Sequence, residues 1–131
     1  MAPIDQPAPV LRTARDAARL FAPHFDQCGG RERLLVAHLS LDRALIHLTE
    51  EQGGASVAIP VRAIIADAIR LDSAGLVLAH CHPSGDPEPS AADIAATRKL
   101  GEMGAELGLS LHDHLIFAGG QCRSFRALGL L

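Results

Sequence analysis

The chain has 131 residues, 48% of them apolar, with 12 basic against 15 acidic side chains for a net charge of −3. That length can bury a core without metal or disulfides to hold it. With no Trp, no Tyr and four Phe, the core must come mainly from Leu, Ile, Val and Ala. No window approaches the ~18 apolar residues a membrane helix needs, and Met1-Ala2-Pro3-Ile4-Asp5 lacks the basic stretch and apolar segment of a secretory signal. A cytoplasmic protein is therefore expected. The single lysine, Lys99, and scattered arginines form no basic cluster of the kind that phosphate contacts use.

Taken in chain order, residues 1–10 hold three of the eight prolines and read as a flexible lead-in. Leu11, Ala14, Ala18, Phe21 and Phe25 then fall near helical spacing, with Thr13 as N-cap and Gly29-Gly30 as the stop. Residues 34–41 and 44–49 are β-like runs parted by Asp42-Arg43, which predicts an antiparallel hairpin. Gly53-Gly54 breaks the chain. Pro60 suits the first position of a helix, and Val61, Ile64, Ile65, Ala68 and Ile69 trace its apolar stripe until Ser73-Ala74-Gly75. Residues 76–79 are short, continuous and apolar, a central buried strand with His80 at its carboxyl end. A helix over about 91–107 follows, with Leu100, Met103 and Leu107 on one side and Gly108 as its stop. Residues 111–118 form a further strand, and Gly119-Gly120 turns it into a last segment around 124–128. The order α-β-β-α-β-α-β-β predicts one α/β domain over 11–131, a mixed sheet flanked by helices in two or three layers.

Cys28, Cys81 and Cys122 are odd in number, widely spaced and free of any C-x-x-C pair. This argues against a disulfide framework and a zinc ribbon, so free, partly buried thiols are expected.

The chemistry concentrates between His80 and Asp93. His80 and His82, then Ser90, then Asp93 give two imidazoles and a carboxylate, enough for a three-ligand zinc site with an open fourth position. Ser90 and Asp93 also read as an S-x-x-D helix start, a serine cap with an acid in the first turn. The two readings are compatible. Pro83-Ser84-Gly85 supplies the turn that lets both histidines converge, and Asp86-Pro87-Glu88-Pro89 stiffens the loop before the helix.

The spacing H-x-H-x7-S-x2-D resembles the zinc signature of the JAMM metallopeptidases of the JAB/MPN superfamily. The string His82-Pro83-Ser84-Gly85-Asp86-Pro87-Glu88-Pro89-Ser90 resembles its RadC branch. Asp113-His114-Leu115-Ile116 and the helix after Pro60 extend the similarity over about residues 30–131. The resemblance implies a JAB/MPN-like fold and zinc held by His80, His82 and Asp93, with Ser90 beside it. It also implies a glutamate acid/base just ahead of the first strand. Glu32, in Arg31-Glu32, occupies that place, with Glu50 and Glu51 as competitors.

Two departures stand out. Cys81 lies where RadC-like chains usually have asparagine, and alternation along the strand should point it away from the metal. Full-length RadC-like proteins also carry an N-terminal helix-hairpin-helix region, for which the roughly 30 residues before Arg31 are too few. His114 is expected to orient a ligand from behind, with His112 on the same face; His24, His38 and His47 read as structural or surface groups.

The implied function is a zinc-dependent metallohydrolase, a JAMM-type peptidase or isopeptidase acting on a peptide or protein. Two alternatives remain open: a non-catalytic interaction module, for which Ala127-Leu128-Gly129-Leu130-Leu131 offers an apolar tail, and an accessory factor in DNA repair. Nucleic acid enters only through the family association, and the charge does not support it. No membrane partner is expected, and a homodimer is left open. The H-x-E and P-C-x-x-C signatures of zinc base deaminases are missing.

Overall fold

A computed structural model describes residues 7–25, 28, 30–51 and 59–131, so most of the lead-in and the Gly53-Gly54 break lie outside the described residues. Helix α1 spans Ala14–Phe21 and runs into a 3₁₀ turn, Ala22–Phe25. Strands β1 (Arg33–Leu39) and β2 (Leu45–Glu51) form the expected hairpin. Helix α2 (Val61–Arg70), strand β3 (Gly75–Cys81), helix α3 (Ala91–Glu106) and strands β4 (Ser110–Ala118) and β5 (Gln121–Ser124) complete the predicted order. The sheet runs β2-β1-β3-β4-β5. Among the described residues only β3 and β4 are parallel, joined by the α3 crossover, and the other neighbour pairs are antiparallel. The result is a mixed five-stranded sheet flanked by three helices.

Side chains alternate across the sheet, and this separates two cores. Leu35, Ala37, Val77, Ala79 and Leu115 pack with Phe21 and Phe25 under α1. Leu34, Val36, Leu76 and Leu78 pack with Ile64, Ala68 and Leu100 under α2 and α3. The domain therefore has three layers. β3 is buried along its whole length in the middle of the sheet.

Several details differ from the expectations. α1 does begin with Thr13, whose hydroxyl accepts from the Asp16 amide in a capping box, but it ends at Phe21. Pro23 lacks the amide that an α-helical turn would use, and the chain tightens into 3₁₀ geometry. The last strand covers Gln121–Ser124, ahead of the expected segment. On α2, Ile69 is exposed although it continues the apolar stripe. On α3 the buried face is Asp93, Thr97, Leu100 and Gly104, while Met103 and Leu107 are exposed.

The largest correction concerns the cysteines. Cys28 and Cys81 are joined in a disulfide, with Cα atoms 5.9 Å apart and a separation of 53 positions in sequence. Only Cys122 is free, on the exposed edge strand. The pairing leaves no local sequence signal because the partners are 53 positions apart and meet only in the folded core under α1.

Candidate metal centre

The site forms where β3 leaves the sheet. His80 lies between Leu34 of β1 and Ile116 of β4 and is 1% exposed. The next residue, Cys81, turns to the opposite face among the α1 core residues, as alternation requires. The His82 amide still donates to the Phe117 carbonyl at 2.9 Å, so the chain follows β4 one step further. It then turns through Pro83-Ser84-Gly85, with Gly85 at a φ of 83°, and the His82 and His80 rings meet edge to face at 4.5 Å.

The loop fixes the chemistry of His82. Its Nδ1 lies 2.9 Å from the Asp86 carbonyl oxygen, which can only accept, so Nδ1 carries the proton and Nε2 keeps a free lone pair. That Nε2 is 3.5 Å from Asp93 Oδ2. His80 places Nε2 at 3.3 Å from Glu32 Oε2 and Nδ1 at 3.9 Å from Asp93 Oδ1. Among the described residues neither buried ring nitrogen of His80 has a hydrogen-bond partner of good geometry, even with Glu32 Oε2 at 3.3 Å from Nε2. Burial, only partly opposed by Asp93, lowers the His80 pKa and keeps the ring neutral. A neutral, buried, unpartnered imidazole is costly unless something else takes its lone pair.

Glu32, His80 and His82 offer ligand atoms that all lie within 4.8 Å of one another. Asp93 sits against the same two histidines but is also tied to its helix. Its Oδ2 accepts from the Ser90 amide at 3.2 Å, while the Ser90 hydroxyl accepts from the Asp93 amide at 3.0 Å. The S-x-x-D helix start is therefore present as a full capping box at the head of α3. Asp93 Oδ1 is left facing His80. Glu32, one residue ahead of β1, is the glutamate brought to the histidines. Glu50 is engaged with Arg33 at 2.7 Å, and Glu51 shares a hydrogen bond with Asp67.

Behind His80 lies a stack. The His114 ring is 5.7 Å from His80 and 4.4 Å from Phe125, and its Nδ1 meets the Thr97 hydroxyl at 2.9 Å. Complete burial holds the His114 pKa well below its usual value, and its Nε2 has no partner among the described residues. His112 does not share this environment. The register shifts between Leu76 and Val77, which breaks the alternation on β4, and His112 packs against Gly75 instead. Asp113 anchors the β4–β5 corner by accepting from the Ser124 hydroxyl and the amides of His114 and Arg126.

Thr97 was not singled out from the sequence. Its signal was present, since it lies four residues after Asp93 and so shares that helix face.

The donor set suits zinc: two imidazoles with a carboxylate, and buried His80 ring nitrogens that no described residue satisfies. Beside His82 a cleft of about 610 Å³ opens between Phe25, Phe117 and Gly119-Gly120. No helix among the described residues is long and apolar enough to cross a membrane.

The chain is also similar to known proteins. The pattern of the RadC-like JAB domain matches residues 11–130. A UPF0758 protein of Rhodobacter capsulatus is 44% identical over 102 residues, covering 76% of this chain and 48% of that protein. Another, from Moorella thermoacetica, is 37% identical over 125 residues, 93% of this chain and 54% of its own length. A third, from Methanospirillum hungatei, is 51% identical over 70 residues, 53% of this chain and 31% of that protein. The chain thus spans about half the length of the first and second of these relatives. With the motif, the fold and these matches together, the chain belongs to the RadC-like JAB domain family.

Proposed function

We propose that this domain is a zinc-dependent hydrolase of the JAMM type that cleaves an amide bond in a peptide or protein. The observation that carries the reading is the convergence of ligand atoms of Glu32, His80 and His82 within 4.8 Å, with neither His80 ring nitrogen hydrogen-bonded among the described residues. His80, His82 and Asp93 would hold the metal. Zinc bound there supplies Lewis acidity and brings the pKa of a water towards about 7.

The remaining work falls to the chain. Glu32 is partly exposed, which leaves its carboxylate free to take a proton from the attacking water. The same group then returns that proton to the departing amine. The Asp86 carbonyl holds His82 in the tautomer with Nε2 free. The Ser90 hydroxyl accepts from the Asp93 amide and keeps its own proton, which it can direct at a developing oxyanion. Thr97 and His114 hold the back of His80 in place.

Replacing Glu32 with Gln preserves shape and removes the base. The variant is expected to retain zinc and to lose about 100-fold or more in turnover on any substrate the wild type cleaves. Unchanged turnover would exclude this role for Glu32. A cytoplasmic location fits the reading.

A further inference from the structure

We propose that the Cys28–Cys81 disulfide is a redox-operated clamp that holds the Glu32 segment on the strand carrying His80 and His82. Closing it tightens the site for a divalent metal. The proposal rests on the metal reading above, and it concerns residues that reading does not use.

The argument starts from sequence position. Cys81 is the residue between the two histidines, and Cys28 precedes Glu32 by four residues. The bond therefore joins the two stretches of chain that supply the converging groups. Register shows how directly. Arg33 pairs with Cys81 and Leu34 with His80, so Glu32 sits one step beyond the last β1–β3 pair. Beyond that pair, the sheet no longer holds the segment. The other ties there come from Arg33, which donates to the His24 carbonyl at 2.7 Å and pairs with Glu50. The disulfide adds a covalent tie on the α1 side of the sheet, where Cys81 packs. Opening it frees the Glu32 side of the site without aiming either thiol at the histidines, because Cys81 and His80 lie on opposite faces.

Cys28 is the half-buried member of the pair and Cys81 the buried one. Both line the cleft beside His82, which gives a small dithiol a route to the Cys28 sulfur. A thiolate of the dithiol attacks Cys28 Sγ, the S–S bond breaks, and Cys81 leaves as a thiolate that takes up a proton. The second thiol of the reductant then displaces Cys28, which also gains a proton, and the reductant departs as its own disulfide. Two electrons pass from the dithiol to the protein, and a disulfide oxidant reverses the exchange.

Preorganisation sets the direction of the effect. Groups already held in a converged geometry lose less freedom on binding metal than groups that must be ordered first. The test is zinc affinity, by competition against a chromophoric chelator, on the full chain in three forms. These are the protein oxidised with glutathione disulfide, the protein reduced with dithiothreitol and desalted anaerobically, and Cys28→Ser. Thiol titration should count one free cysteine in the oxidised form and three in the reduced form. Zinc should bind about tenfold more weakly to the reduced protein and to Cys28→Ser, a change of the size seen when outer supports of metal ligands are removed. Reoxidation should restore the wild-type affinity, a recovery that a merely damaged fold would not show. Equal affinities in all three forms, with binding still lost in His82→Ala, would overturn the clamp and leave the metal site standing. Three free thiols after oxidation would overturn it too. No zinc in any form would remove the metal reading, and the clamp with it.

Discussion

His38 is buried and Glu51 half-buried outside the metal cluster, and their environments pull the pH dependence of folding in opposite directions. Burial lowers the His38 pKa from 6.5 to about 4, with Asp67 opposing and His47 and Arg70 reinforcing the shift. Its ring is held neutral between the hydroxyls of Ser73 at 2.8 Å and Thr49 at 3.2 Å. Because its pKa is lower in the folded state, this group's contribution to stability is complete above about 6.5 and is lost as pH falls towards 4. Glu51 does the reverse: burial, then its hydrogen bond to Asp67, raises it from 4.5 to about 7. Its contribution is complete below about 4.5 and is lost as pH rises through 7. Between pH 4.5 and 6.5 the two slopes offset each other. Glu51→Gln removes one of them, so its stability should fall more steeply than that of the wild type on acidification through that window. Denaturant midpoints at several pH values would read this, and parallel curves for the two proteins would contradict it.

At the scale of elements, α3 shows why the site was only partly legible. Its sequence suggested a face of Leu100, Met103 and Leu107, yet the buried face is Asp93, Thr97, Leu100 and Gly104. A helix that presents a carboxylate and a hydroxyl to histidines carries polar residues where an apolar stripe is normally sought. Hydrophobic periodicity fails there because polar groups of α3 face the histidines of the proposed site. Strand β3 was legible as a buried strand because its interior positions are apolar, and the H-x-H spacing marked where it ended. The disulfide was not legible, since it joins residues 53 positions apart that meet only in the folded core. α3 also packs closely on the chain leading into β4. A methyl group at Gly104 would lie 2.9 Å from the Leu109 carbonyl oxygen. Gly104→Ala should therefore destabilise the domain by about 1–3 kcal/mol despite the better helix propensity of alanine. A thermal midpoint at or above that of the wild type would show that this contact yields.

For the whole molecule, the alternation of the sheet made the architecture readable. Two apolar faces per central strand demanded helices on both sides, and α1 against α2 and α3 supply them. The disulfide bears on global stability as well as on the site. A bond across 53 residues of sequence restrains the unfolded chain, worth about 4 kcal/mol by loop-closure entropy. Cys28→Ser should lower the unfolding free energy by an amount of that order under oxidising conditions and leave it near wild type when both proteins are reduced. A difference that persists under reduction would assign the loss to packing at Cys28.

The zinc site itself is the central claim, and metal content by mass spectrometry tests it most directly, on wild type and His82→Ala in parallel. The expected result is about one zinc per chain in the wild type, a single three-ligand centre, and none above background in the variant. No zinc in the wild type after reconstitution would contradict the account and leave Ser90 and Asp93 as the cap of α3 alone.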